Sequence, residues 1–178
     1  MGTEPLTRDQ ERIDLSHVAR DAFELYEPFA EERGLTLQLD SGTAAFVLGD
    51  AELLLEAVGN LLDNAFKYAP VGSVVALSGL HQNEQPFMRV ADRGSGIAVE
   101  DRERVLQRFY QTEKSRTVGG SGLGLSLADA ISRLHEFELR ISDAGPGCIV
   151  DILCVGAVTS EADRASTCDE RDGADRST

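Results

Sequence analysis

The chain has 178 residues, 42% of them hydrophobic, which is enough for one buried core and too short for two comfortable domains. Lys and Arg total 17 against 31 Asp and Glu, a net charge of −14 that argues against nucleic-acid binding and leaves any anionic ligand to local devices such as helix N-termini, Mg2+ and a few placed cations. No run approaches the roughly 18 apolar residues of a membrane span, the start MGTEPLTRDQ is unlike a signal peptide, and the three cysteines (Cys148, Cys154 and Cys168) lack metal-ligand spacing, so a reduced, cytoplasmic setting without membrane contact by this chain is expected, whether or not a longer parent is membrane-anchored.

Residues 1–12 read as a polar linker, with order from Ile13. From Ser16 to Arg33, Val18, Ala22, Leu25 and Phe29 recur at helical spacing, Gly34 stops the helix, and Pro28 is expected to kink or weaken it. Leu35–Leu39 and Ala45–Leu48 read as strands. Asp50 caps a second helix whose Leu54, Val58, Leu61, Leu62 and Ala65 form one apolar arc. Val74–Leu80 and Phe87–Ala91 predict a hairpin-like pair across a polar connection, and Glu100–Leu106 a helix. Thr112–Gly122 reads as a mobile loop, and helical spacing resumes over Leu123–Leu134. Strands at Leu139–Ile141 and Cys148–Val155 flank a turn at Asp143–Gly147 and close a domain spanning 13–158; residues 159–178 read as a disordered acidic tail. The succession fits an α+β fold, a two-layer sandwich with helices on one face of a mixed, mostly antiparallel sheet.

Three segments carry chemistry. Asn60 and Asn64 lie one helical turn apart, and Lys67 and Tyr68 continue the same side. A solvated helix side is the plain reading, yet asparagine disfavours helix interiors, and a carboxamide oxygen is a hard ligand suited to Mg2+; Asn64 is the candidate metal ligand. Asp92 ends a strand and precedes Gly94, Gly96 and Ile97. A surface turn uses the same residue types, but a semi-buried carboxylate there accepts a hydrogen bond from an amine, worth about 1.5–3 kcal/mol. Gly120, Gly122 and Gly124, with Leu123 among them, open the last helix, so free amides and the positive helix end face a phosphate chain; a ligand-free flexible loop would look alike. No lysine follows these glycines, which excludes the P-loop.

In order, EAVGNLLDNAFKYAP (56–70), DRGSGI (92–97), VLQRFYQ (105–111) and GGSGLGLS (119–126) resemble the N, G1, F and G2 boxes of bacterial histidine protein kinases, in the superfamily of gyrase, heat-shock chaperone, histidine kinase and mismatch-repair ATPases. The resemblance spans roughly Ile13 to Val155 and implies the Bergerat ATP-binding fold with ATP and Mg2+ as cofactors. It places Asn64 on the metal, Lys67 toward phosphate and Tyr68 against adenine. It gives Asp92 the adenine amine, with Gly94, Gly96 and Ile97 in the loop that approaches the nucleotide. Arg108 becomes a candidate for the phosphates, Phe109 packs the closed lid, and Gly120, Gly122, Leu123 and Gly124 form the phosphate loop. Lys114 and Arg116 are further lid cations whose plain reading is ordinary solvated charge. Asn60 stands where related ATPases carry a glutamate base; an amide accepts no proton from water, which favours transfer to another acceptor over hydrolysis. No convincing catalytic base is present.

A histidine kinase also needs a phosphoacceptor histidine on a dimerisation hairpin, and His17, His81 and His135 all lack that context. His135 reads as a helix-terminal residue, favourable there when protonated, with Glu136-Phe137 where relatives usually carry two glycines. The resemblance therefore implies the catalytic domain of a two-component sensor kinase. Its partners would be a separate dimerisation and phosphoacceptor module and, downstream, a response regulator receiver domain. Two alternatives stay open: a serine kinase of the anti-sigma-factor type, and an interaction module that binds nucleotide without catalysis. Lys67-Tyr68 and the F box favour the first reading.

Overall fold

A computed structural model describes residues 11–42, 44–82 and 85–155; the expected linker over 1–10, part of the hairpin connection (83–84) and the expected acidic tail lie outside them. The chain opens with a strand, β1 (Glu11–Asp14), which pairs antiparallel with β3 (Phe46–Gly49). Glu11 and Arg12, expected in the linker, therefore belong to the fold, and Arg12 lies over the Phe46 ring at 4.1 Å. Asp14 then caps α1 (Leu15–Glu32) by accepting the Ser16 N–H at 2.9 Å.

Helix α1 continues past Pro28 to Glu32. Its buried residues are Leu15, Val18, Ala19, Ala22 and Ala30, while Leu25 and Phe29 are half-exposed. The expected stripe holds at Val18 and Ala22 and leaves the core in the second half of the helix: at 3.6 residues per turn the core-facing line continues through 26 and 30, and positions 25 and 29 fall on its flank. Tyr26 fills that line, with its ring centroid 6.5 Å from Phe66 of α2 (Ala51–Tyr68).

The main sheet has the order β2-β4-β5-β7-β6. Strands β2 (Thr36–Ser41) and β4 (Val74–Gln82) run parallel; β5 (Gln85–Ala91), β7 (Cys148–Leu153) and β6 (Glu138–Asp143) join by antiparallel ladders. Helices α1, α2 and α4 (Gly124–Leu134) form the second layer. Val75, Leu77, Met88, Val90, Val150 and Ile152 alternate onto the helix side, and Leu54, Val58, Leu61 and Leu62 of α2 meet them, each worth about 1.5–3 kcal/mol when fully buried. On the other side, Arg89 and Asp151 pair across β5 and β7 at 2.6 and 2.9 Å.

The helix expected at Glu100–Leu106 is instead two 3-10 turns, Val99–Asp101 and Arg104–Leu106; only Val105 of these residues is buried, so no apolar stripe holds an α-helix there. The expected loop contains α3 (Glu113–Val118), capped by Thr112, whose hydroxyl accepts the Ser115 N–H at 3.2 Å.

His135 has a different role from that of a charged helix end. It is buried, its Nε2 accepts the Asp50 N–H at 3.0 Å, its Nδ1 lies 2.8 Å from the Ile131 carbonyl, and its ring stacks on Phe137 at 5.4 Å. Only a neutral ring can donate at Nδ1 and accept at Nε2, so His135 bolts the end of α4 to the start of α2. Gly49 makes room for it, since a Cβ there would lie 2.7 Å from His135 Cδ2. Glu136 turns the chain at φ 60, a left-handed conformation unfavourable for a residue with a Cβ. Urea denaturation should find His135→Ala less stable by about 2–4 kcal/mol, through a cavity and an orphaned amide, and Glu136→Gly more stable by up to about 1 kcal/mol.

Candidate functional site

The ends of α2 and β5, the turn from β6 to β7 and the start of α4 enclose a cleft of about 940 Å3. Helical phase explains the wall that α2 provides: Asn60, Asp63, Asn64, Lys67 and Tyr68 recur every three or four residues and all line it. Asn60 Nδ2 donates back to the Glu56 carbonyl at 2.9 Å, which leaves its side-chain oxygen toward α4; a Cβ on Gly124 would lie 3.7 Å from that oxygen.

The closed end is built where β5 ends. The Asp92 N–H donates to the Cys148 carbonyl at 2.9 Å, and Asp92 Oδ1 accepts the Gly94 N–H at 2.7 Å, an Asx-type turn that fixes the carboxylate. Backbone crowds this turn on every side. A Cβ on Gly94 would lie 2.7 Å from the Tyr68 carbonyl, one on Gly96 (φ 71) 3.0 Å from the Gly147 carbonyl, and one on Gly147 (φ 114) would collide with the Asp92 carbonyl. Gly94 and Gly96 thus have a reason within the fold itself, and of the two only Gly96 lines the cleft.

Asp92 is 7% exposed, and burial raises its pKa above the ordinary carboxylate range against the lowering by backbone hydrogen bonds from Gly94 and Cys148. Beside it, burial and then the Asp92 charge push the Cys148 thiol up to about 12, so it stays protonated and offers a neutral surface. The floor therefore presents one buried carboxylate with lone pairs to spare, in a cleft also lined by the apolar Ile97 and Val105.

The opposite end is formed by the start of α4. Leu123 supplies no side-chain cap, so the first amides of this eleven-residue helix and its positive end remain for an anion. Gly120, Gly122, Leu123 and Gly124 all line the cleft, the Lys67 ammonium lies against Gly120, and Arg116 joins them. Lys67 Nζ also lies 5.8 Å from the Tyr68 ring centroid.

The lid between 107 and 122 is tied at both ends. Tyr110 donates to Asp101 Oδ1 at 3.0 Å, the Phe109 N–H to the Gly122 carbonyl at 3.2 Å, and the Gln111 side chain to the Gly120 carbonyl. Phe109 adopts φ 62 and is 73% exposed, and neither it nor Arg108 lines the cleft in this lid conformation; the Lys114 side chain lies outside the described atoms. Asp63, Ser95, Asp101, Tyr110, Asp143 and Cys148 line the cleft without having been singled out from the sequence. Asp63 shares the helical phase of Asn60 and Lys67 and was readable; Asp143 and Cys148 arrive through the β6–β7 turn, which no local signal connects to Asp92.

Among the described residues no three His, Cys, Asp or Glu cluster as a metal site. A cation here would be held by a lone protein oxygen, such as that of Asn64, together with oxygens of a bound anion and water, the pattern Mg2+ prefers.

The sequence pattern of the Histidine kinase-, DNA gyrase B-, and HSP90-like ATPase family matches residues 49–157, from the start of α2 through the Asp92 loop, the lid and β7. The chain belongs to that family. The sensor-like histidine kinase SenX3 of Mycobacterium tuberculosis is 36% identical over 138 residues, 76% of this chain and 34% of SenX3. The chain thus spans about a third of the length of the curated relatives it matches. Among solved structures, the mycobacterial sensor histidine kinase MprB superposes with a TM-score of 0.69 at 28% identity, covering 82% of this chain and 96% of that one. Full-length ShkA, solved in complex with AMPPNP, shares the fold with a TM-score of 0.72 at 24% identity over 90% of this chain and 34% of its own. The mixed sheet with one helical layer is thus the ATPase-family fold.

The raised pKa of Asp92 has a thermodynamic sign. The folded state holds the proton more tightly than the unfolded state, so stability falls as pH rises from the ordinary carboxylate range through the raised value, and the charge is a cost at neutral pH. Asp92→Asn keeps an oxygen for the Gly94 amide and removes that cost. Melting curves at pH 7 should show the variant as stable as the parent or more so, with the difference disappearing at low pH; a large loss of Tm would contradict the assignment.

Proposed function

We propose that this domain binds Mg2+ and ATP as the catalytic domain of a sensor histidine kinase. In this reading the γ-phosphate passes to a histidine on a separate dimerisation and phosphoacceptor module, and from there to the receiver domain of a response regulator. The observation that carries the reading is the polarity of one cleft. A buried carboxylate sits at its closed end, and an uncapped helix N-terminus with Lys67 and Arg116 sits at the other. An adenine amine and a polyphosphate chain have that same polarity.

Each residue then has a task that its surroundings support. Asp92 accepts the amine, in a site dry enough for a charge-assisted hydrogen bond to discriminate. Tyr68 offers a ring face for the base. Lys67 and the amides of Gly122 to Gly124 take phosphate charge, which the chain's overall −14 would otherwise repel. Asn64 would hold Mg2+, whose contribution when bound is to neutralise phosphate oxygens. Asn60 carries an amide, which accepts no proton from water, so catalysis rests on positioning and charge stabilisation with the base supplied by the acceptor module.

Calorimetric titration with ATP, with and without Mg2+, tests the site. Micromolar to sub-millimolar binding is expected; Asp92→Asn should lose about tenfold or more in affinity, in line with one hydrogen bond to a charged group. Asn64→Ala should abolish the Mg2+ dependence, and retained dependence would move the metal ligand elsewhere. Addition of a competent acceptor hairpin with labelled ATP should then yield an acid-labile, alkali-stable phosphoryl group on histidine. An acid-stable product would indicate a serine acceptor, and binding without transfer would indicate a non-catalytic module.

A further inference from the structure

Arg102 stands behind the inner wall of the cleft and touches two segments far apart in the chain. Its Nε donates to the Ile97 carbonyl at 3.3 Å, and its Nη2 lies 2.9 Å from Asp143 Oδ1. The second contact is an ion pair set off the hydrogen-bond angle, since Nη2 is buried with no acceptor aligned to its protons. The guanidinium side chain is 21% exposed and Asp143 67%, so the strap is anchored on the arginine side.

Both segments that Arg102 holds are walls of the cleft. Ile97 and Gly96 line it from the Asp92 loop, and Asp143 and Cys148, directly opposite each other in the β6–β7 ladder, line it from the turn. Gly96 backs onto the Gly147 carbonyl beneath them. Asp92, Asp101 and Asp143 all line the cleft, and the Arg102 guanidinium meets the last of them. Without it, the turn and the Asp92 loop would lose a side chain that touches both.

We propose that Arg102 is a positioning residue for the nucleotide base: acting through Ile97 and Asp143, it fixes the spacing between the Asp92 loop and the β6–β7 turn and so sets which base the inner end accepts. This rests on the ATP-binding reading. Arg102 itself lies outside the cleft lining, so its effect on the ligand passes entirely through the two backbone segments. Asp143→Asn removes the charge of a largely exposed partner and is expected to spare the fold.

The test is calorimetric titration of the 178-residue chain and its Arg102→Gln, Arg102→Lys and Asp143→Asn variants with ATP, and with GTP in competition, beside their melting curves. Arg102→Gln should weaken ATP binding roughly fivefold and narrow the ATP-over-GTP preference, the scale expected for losing one partly screened ion pair. Asp143→Asn should shift both readouts the same way by less, and Arg102→Lys, which keeps the charge, should recover part of the loss. ATP and GTP weakened by one common factor, or a lower Tm with preference unchanged, would overturn the positioning role and leave a purely structural strap. Should Arg102→Gln fail to fold, Asp143→Asn decides, and an unchanged preference there overturns the proposal. A parent chain that binds no ATP would bring down the ATP reading and this proposal together, whereas a parent that binds beside an indifferent Arg102→Gln overturns the positioning role alone.

Discussion

The structure depends on one close meeting of backbones at Asp92. The end of α2, the end of β5 and the β6–β7 turn converge there without space for a side chain: the Tyr68 carbonyl fills the place of a Cβ on Gly94, and the Asp92 carbonyl fills that of a Cβ on Gly147. Backbone packed so tightly needs its polar groups paired, and the Asp92 amide finds the Cys148 carbonyl. The result is a carboxylate held rigid and nearly dry. Such a group is a thermodynamic burden to the free fold, since burial raises its pKa, and in the proposed reading a ligand that donates a hydrogen bond relieves that burden. The polarity of the cleft follows from this arrangement at one end and the uncapped α4 at the other.

Charge shapes the other half of the account. A chain of net charge −14 repels a polyphosphate at long range, but that field decays over about 8 Å in physiological salt, so near contacts decide. Lys67, Arg116 and the first amides of α4 are gathered around the same glycines. The His135 bolt matters here as well, because it fixes the far end of α4 to the start of α2 and so holds the helix N-terminus opposite Asn60 and Asn64. The two helices that carry the proposed phosphate and metal contacts are thereby one unit, while the lid's two ends are hydrogen-bonded to each other and, through Tyr110, to Asp101.

Much of this was legible in the sequence, for identifiable reasons. The Asp50 cap and the arc Leu54-Val58-Leu61-Leu62-Ala65 predicted α2 because cap and period agree, and the same helical phase gathered Asn60, Asn64, Lys67 and Tyr68 on one wall. The strand pair around residues 81–86 and the turn at 143–147 were readable from alternation and turn residues. What escaped depends on contacts between distant segments. β1 is four residues of mostly polar sequence, defined only by its pairing with β3. The second half of the α1 stripe was misplaced because Leu25 and Phe29 satisfy the spacing yet lie on the flank of the line that continues to Ala30. The segment 99–106 lacks the apolar face that would make it a helix. His135 looked like a helix-terminal charge because nothing local reveals that the Asp50 amide needs an acceptor. Phe109 and Arg108 carry roles implied by the resemblance that the observed lid conformation does not display.

The central claim is that one cleft binds the two ends of a single nucleotide at Asp92 and at the start of α4. A crystal structure of the domain grown with Mg2+ and a non-hydrolysable ATP analogue tests it most directly. The account predicts the exocyclic amine of the base on the Asp92 carboxylate, the triphosphate on the amides near Gly122 to Gly124 with Lys67, and the metal on Asn64. Nucleotide density in the cleft with the base away from Asp92, or nucleotide bound elsewhere on the surface, would contradict it.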